Sequence, residues 1–323
     1  MDSVFPAGAA FGYGLYQLCV SGLDLLKKFL FRRAIQHNRG MFKRQRTGSV
    51  ICASCGKLVG VQDETCWNCG RRNPGLWGFG PFLRRIGNDL GFISIVMWGC
   101  GALYIATLLV DPRGIQMSGM SILAPSLRAL FFFGASGAVP VFGYGRWWTV
   151  LSAAWLHGNI LHIVFNLMWV RQLAPDVSEL YGGGRLVVIY TVSSITGFLL
   201  SSWAGFAFAA LPISFLRGAS FTLGASAPIF GLLGALVVYG RRGGSSHISS
   251  QAMTYAVIMF VFGFIMPGID NYAHLGGFLG GYAVGHLLDP MRPERLNHMI
   301  AALVCMVLTA LSVIVSLLQG ALL

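Results

Sequence analysis

The chain has 323 residues, of which 55% are apolar and only 11% charged, with a mean hydropathy of +0.67. An ordinary soluble domain carries roughly 25% charged residues, so this composition excludes a soluble enzyme with a normal surface and excludes disorder over most of the chain. The net charge of +12 is unevenly placed, with thirteen of the 23 Lys and Arg residues before residue 91. That pattern describes a basic tail held at the cytoplasmic face of a polytopic membrane protein, against anionic headgroups. It carries no recognition motif for nucleic acid, and none is expected as a partner.

Residues 1–50 read as that tail. Val4 to Leu23 carry no charge but are interrupted by Pro6, Gly8, Gly12 and Gly14. With no basic residue before them they do not resemble a signal peptide, and an interfacial segment is expected. Lys27 to Arg46 form a basic cytoplasmic linker. Residues 51–72 then present Cys52-x2-Cys55, ten intervening residues, and Cys66-x2-Cys69. Each pair is followed by a glycine, Gly56 or Gly70, in a tight turn that aims two thiolates at one ion. Four soft ligands in two such turns predict a structural zinc site, closed to catalysis, in a zinc-ribbon-like module. Such a module could hold a cytoplasmic partner. The remaining cysteines, Cys19, Cys100 and Cys305, are scattered in apolar surroundings and form no disulfide framework. Residues 73–90 are a linker.

From Gly91 onward apolar runs alternate with short polar breaks. Spans of about 20 residues are predicted near 91–110, 147–170, 185–208, 223–240, 251–267, 272–288 and 297–320. With the N-terminus inside, the inside connections hold Arg171, Arg185, Arg241, Arg242, Arg292 and Arg295, and the outside ones only Arg113, Arg128, Arg146 and Arg217. The positive-inside rule is satisfied and the C-terminus lies outside. A plasma membrane of prokaryotic type is the expected location. The connection from Asp111 to Arg146 is long and contains Leu130-Phe131-Phe132-Phe133, which suggests a re-entrant or interfacial element.

Polar groups inside spans are costly and mark function. The second span carries His157, His162 and Asn166, the fourth begins around Ser226, and the sixth begins around His274. All three enter the membrane from the same side, so these groups share a depth. A serine nucleophile needs a base, and His is its usual partner. Ser226 opens a helix behind Gly224, with Pro228 in the first turn, where unpaired amides and the positive end of the helix favour an oxyanion. His162 and Asn166, at i and i+4, share a helix face and are both hydrogen-bond donors suited to the same task. Gly224, Gly231 and Gly234 in the fourth span, with Gly276, Gly277, Gly280 and Gly281 in the sixth, permit close approach of two backbones. A transition-metal site at the histidines fits poorly, because His157 and His162 are five apart with no acidic neighbour. A transporter is disfavoured by the absence of a repeat.

These residues resemble the rhomboid intramembrane serine proteases over about residues 91–289. The resemblance rests on His157-x4-His162-x3-Asn166, Gly224-x-Ser226, and Ala273-His274-x2-Gly277-x3-Gly281, in the family's order. It implies an all-α membrane protein with a six-helix core and, over residues 290–323, one added C-terminal helix. It implies an endopeptidase that hydrolyses peptide bonds in or near the transmembrane segments of protein substrates, with no cofactor for catalysis. Ser226 would be the nucleophile and His274 the base, with His162, Asn166 and the Ser226 amide as the oxyanion hole. His157 would support the second span, Phe230 would pack on His274, and residues 111–146 would be the membrane-embedded first loop. Two positions depart from the pattern: Ala227 stands where the serine motif commonly has Gly, and Thr149 follows Trp148 where Arg is frequent. The alternative on the same fold is a weak or inactive relative that holds client transmembrane helices.

Overall fold

This computed structural model describes residues 45–52, 56–78, 89–119, 121–212, 216–266 and 268–321. The expectations for Cys19, Cys55, the uncharged stretch from Val4 to Leu23 and most of the basic linker lie outside the described residues. The chain divides into two compact units, Met1–Arg85 and Ile86–Leu323.

In the first unit, β1 (Ser49–Ile51) pairs antiparallel with β2 (Leu58–Gly60), with Val50 opposite Val59. Period-2 alternation puts both valines on the inner side. There they join Val61, Cys52 and Cys66 in a small buried cluster.

The second unit is a helical bundle. Its long helices are α1 (Phe92–Val110), α4 (Ile160–Tyr181), α5 (Gly183–Ala207), α6 (Ser226–Arg242), α7 (Ser246–Ile265), α8 (Asn271–Leu287) and α9 (Leu296–Gly320). The connection after α1 holds two short helices, α2 (Leu127–Phe133) and α3 (Thr149–Ser152). The architecture is the expected all-α polytopic membrane protein. Among the described residues four helices, α1, α5, α7 and α9, are long and apolar enough to cross a membrane. The other two central helices, α6 and α8, have 17 residues each and are about 25 Å long, less than the roughly 30 Å hydrocarbon core.

The predicted second span, 147–170, requires correction. Thr149–Trp155 and Ile160–Tyr181 meet at an angle of 94°, so the helix begins thirteen residues later than hydropathy suggests, and His157 precedes it. The physical cause is the Asn159 cap. Its backbone is extended and its side chain accepts the His162 N–H at 2.7 Å, which starts α4 at Ile160. At the other end Gly182 (φ 94°) stops α4 and lets α5 start at once.

Helix α6 is the centre of the bundle, packed by α4, α5, α7 and α8 and buried along almost its whole length. Lipid tails are as apolar as leucine, so association here depends on close packing rather than on water exclusion. A Cβ at Gly277 would collide with the Ala227 carbonyl, and one at Gly281 with the backbone of Gly231. The α6 and α8 backbones therefore touch, which only glycine permits.

At the end of the bundle away from Ser226, the buried Arg185 guanidinium donates from Nη1 to the carbonyls of Leu288, Asp289 and Arg292, each at 2.9 Å. Glu294 accepts the Arg185 N–H at 2.9 Å, at the start of α5. Burial pushes the Glu294 carboxyl up from its ordinary pKa, while the α5 amides and the guanidinium pull it back. These bonds anchor the connection between α8 and α9.

Candidate active site

Ser226 is the first residue of α6. Gly224 (φ 123°) makes the turn before it, and its N–H donates to the Ala153 carbonyl at 2.9 Å. The amides of Ser226 and Ala227 come too early in the helix to have an intrahelical acceptor, and Pro228 has no N–H at all. Ser226 is half-buried, whereas Ala225 and Ala227 beside it are sealed.

His274 is buried one turn into α8, three residues before Gly277. Backbone contact between Gly277 and Ala227 therefore brings the Ser226 and His274 turns to the same level. The His274 ring stacks on Phe230, with centroids 4.2 Å apart and planes 15° from parallel. Phe230 lies one turn after Ser226, so one aromatic face holds the imidazole over the start of α6. Among the described residues Nδ1 of His274 has no hydrogen-bond partner, and no hydrogen bond joins Ser226 to His274. Nucleophile–base contacts are often looser before substrate arrives.

Asp270 is the N-cap of α8: Oδ1 accepts the Ala273 N–H at 3.0 Å, and Oδ2 accepts the hydroxyl of the buried Ser201 on α5. Asp270 therefore fixes the start of the helix that carries His274. An Asp immediately before the first helical residue is the sequence signal for such a cap.

His162 and Asn166 come from α4. A Cβ placed on Gly224 would lie 2.5 Å from His162 Nε2 and 3.7 Å from Asn166 Nδ2, so both donors converge two residues before Ser226. The Gly158 N–H donates to His162 Nδ1 at 3.2 Å. A nitrogen that accepts carries no proton, so the neutral ring bears its proton on Nε2, toward Gly224. The Asn166 amide donates to the His162 carbonyl at 2.9 Å, which leaves its second N–H available. The fully buried His157 meets His162 edge to face, with centroids 5.1 Å apart. Gly158 and Asn159, which orient His162, were not singled out in the sequence. Arg146, counted there among outside loop residues, is completely buried.

Residues 144–291 match the family model described as the Rhomboid domain. Among curated proteins, the chain is 32% identical over 183 residues to "Rhomboid protease GluP" of Bacillus subtilis (strain 168), covering 56% of this chain and 33% of that protein. It is 28% identical over 172 residues to "RHOMBOID-like protein 7" of Arabidopsis thaliana, covering 52% and 51%. It is 29% identical over 204 residues to "Rhomboid-like protease 1" of Toxoplasma gondii, covering 61% and 62%. The chain thus spans between a third and about three fifths of the length of these relatives. Two of these three relatives are named as proteases, and the long apolar helices of this chain are those of an integral membrane protein.

In the first unit, Cys52, Cys66 and Cys69 bring their sulfurs within 4.8 Å of one another, and the Cys52 and Cys69 sulfurs are 3.8 Å apart. Thiolates about 2.3 Å from zinc are about 3.8 Å apart in a tetrahedron. The two turns are copies of one another. Gly56 and Gly70, at φ 72° and 68°, donate to the Cys52 and Cys66 carbonyls, while the Cys52 and Cys66 amides donate to Lys57 and Arg71. The donors fit a soft divalent ion, with Cys55 as the remaining ligand of the predicted set.

Proposed function

We propose that this protein is an intramembrane serine endopeptidase that hydrolyses peptide bonds in or near the transmembrane segments of membrane-protein substrates. The carrying observation is the convergence of Ser226, His274, His162 and Asn166 from three helices. That convergence is supported by Phe230 stacked on His274 and by His162 Nε2 lying against Gly224. In this reading His274 takes the proton of the Ser226 hydroxyl as its oxygen attacks the substrate carbonyl. The carbonyl oxygen becomes an oxyanion that accepts from His162 Nε2, the free Asn166 N–H and the Ser226 amide. His274 then protonates the leaving amine, and water cleaves the acyl-serine with His274 again as base. His157 supports the His162 ring by edge-to-face contact, and Gly224 and Gly277 provide the close approach. The reaction needs no cofactor.

The distribution of arginines supports an N-terminus in the cytoplasm, a C-terminus outside, and a site that opens toward the outer leaflet. The bilayer and single-span substrates are the partners. The cysteine module holds one structural zinc through Cys52, Cys55, Cys66 and Cys69. Metal analysis of the purified chain is expected to give one zinc per chain, lost in Cys66→Ser. The module offers a cytoplasmic docking surface.

The test is cleavage of single-span model substrates in proteoliposomes by the wild type, Ser226→Ala and His274→Ala. Cutting by the wild type alone supports the reading. Binding of substrates without any cutting by the wild type favours the inactive client-holding alternative.

A further inference from the structure

The seventh helix lies outside the six-helix arrangement that carries the candidate catalytic groups, yet its last turns are bonded into the loop that shapes the serine turn. Ser316 of α9 is completely buried. Its hydroxyl accepts the Trp148 Nε1–H at 3.0 Å, and its carbonyl accepts from Arg146 Nη2 at 3.2 Å. The same guanidinium donates from Nη1 to the Phe131 carbonyl at 2.6 Å and lies 4.3 Å over the Phe131 ring. Arg146 is thus a buried cation held by two carbonyls, one from α2 and one from α9, while its Nε has no partner among the described residues. A buried charge loses far more than an exposed one when such partners move.

From there the contacts run to the turn that precedes Ser226. The Thr149 hydroxyl donates to the Arg146 carbonyl at 2.7 Å and lies 3.2 Å from the Ser136 hydroxyl. Ser136 and Thr222 exchange both backbone hydrogen bonds, at 3.0 and 2.8 Å. One turn beyond Thr149, the Ala153 carbonyl takes the Gly224 N–H. The segment 134–156 therefore holds residues 222 and 224, immediately before Ser226, and α9 holds that segment at Arg146 and Trp148.

We propose that Ser316 is a positioning residue for the serine turn, acting through Trp148 and Arg146. Its effect on rate rests on the protease reading above; its effect on the backbone at 222–224 does not. A contiguous chain of contacts establishes coupling only when perturbing one end changes the other. The experiment uses the full chain in proteoliposomes and compares wild type, Ser316→Ala, Trp148→Phe, the double variant, and Ser312→Ala. Ser312 is a buried hydroxyl of the same helix that donates only to its own Thr309 carbonyl. Steady-state cleavage is measured alongside amide hydrogen exchange of residues 222–226.

Ser316→Ala and Trp148→Phe are each expected to lower kcat about two- to tenfold, the worth of one hydrogen bond. KM should be unchanged, exchange at Thr222 and Gly224 should be faster, and the double variant should be no worse than either single. Ser312→Ala should match wild type in both readouts. Unchanged exchange at 222–224 in Ser316→Ala overturns the proposal, as does an equal loss in Ser312→Ala, which would mean general packing. If the wild type neither cleaves substrate nor labels at Ser226, the protease reading fails, and the exchange comparison still decides the coupling.

Discussion

Helices α7 and α8 are neighbours in the chain but are built for opposite surroundings. Helix α7 is apolar on all sides from Ala256 onward, and only 11% of its apolar window is buried by protein. Val257, Ile258, Val261 and Phe262 are among its exposed side chains. Helix α8 is shorter, carries Gly276, Gly277, Gly280 and Gly281, and presses its backbone onto α5 and α6. A helix that faces lipid needs only length and hydrophobicity. One that carries a reacting group must be placed to a fraction of an ångström, and glycine contacts achieve that at the expense of apolar surface. The proposed chemistry thus sits on α4, α6 and α8, none of which is by itself long and apolar enough to count as a span.

Adding side-chain bulk on α8 should do far more harm than removing it from α7. Gly277→Val places two methyls and a Cβ against the Ala227 carbonyl, with an expected loss of about 3 kcal/mol or more, read as unfolding in mixed micelles. Activity should disappear with it. Next in size, Asn166→Ala should lower kcat about a hundredfold, as removal of an oxyanion donor does, with the fold intact by circular dichroism. Phe230→Leu keeps an apolar side chain but removes the face on which His274 stacks. The expected fall in kcat is about five- to tenfold, in line with roughly 1 kcal/mol for a ring pair. Smallest of all, Val261→Ala on α7 should cost less than about 1 kcal/mol and leave kcat untouched. Equal costs for Gly277→Val and Val261→Ala would break the comparison.

Much of this organisation was readable from residue order. Among the described residues, six of the seven long helices lie where apolar runs and polar breaks place them, because lipid selects for hydrophobicity regardless of tertiary contacts. The polar residues at the starts of α4, α6 and α8 were visible as groups whose burial needs a reason. The bend before α4 was not, since Trp155, Leu156 and Ile160 are apolar on both sides of it and only the Asn159 cap marks the break. The burial of Arg146 was equally hidden: its partners are main-chain carbonyls of Phe131 and Ser316, 15 and 170 residues away, and carbonyls leave no trace in side-chain pattern. Asp270 shows the same limit: an Asp just before a helix marks a cap for α8, but nothing in the sequence marks the bond of its second oxygen to Ser201 on another helix.

The central claim is that contact between α6 and α8 makes Ser226 and His274 one reactive unit. Fluorophosphonate labelling of the membrane-reconstituted chain, with the adduct located by mass spectrometry, tests it most directly. The account predicts a single adduct on Ser226 in the wild type and almost none in His274→Ala. An unlabelled Ser226 in the wild type, or equal labelling without His274, would contradict it.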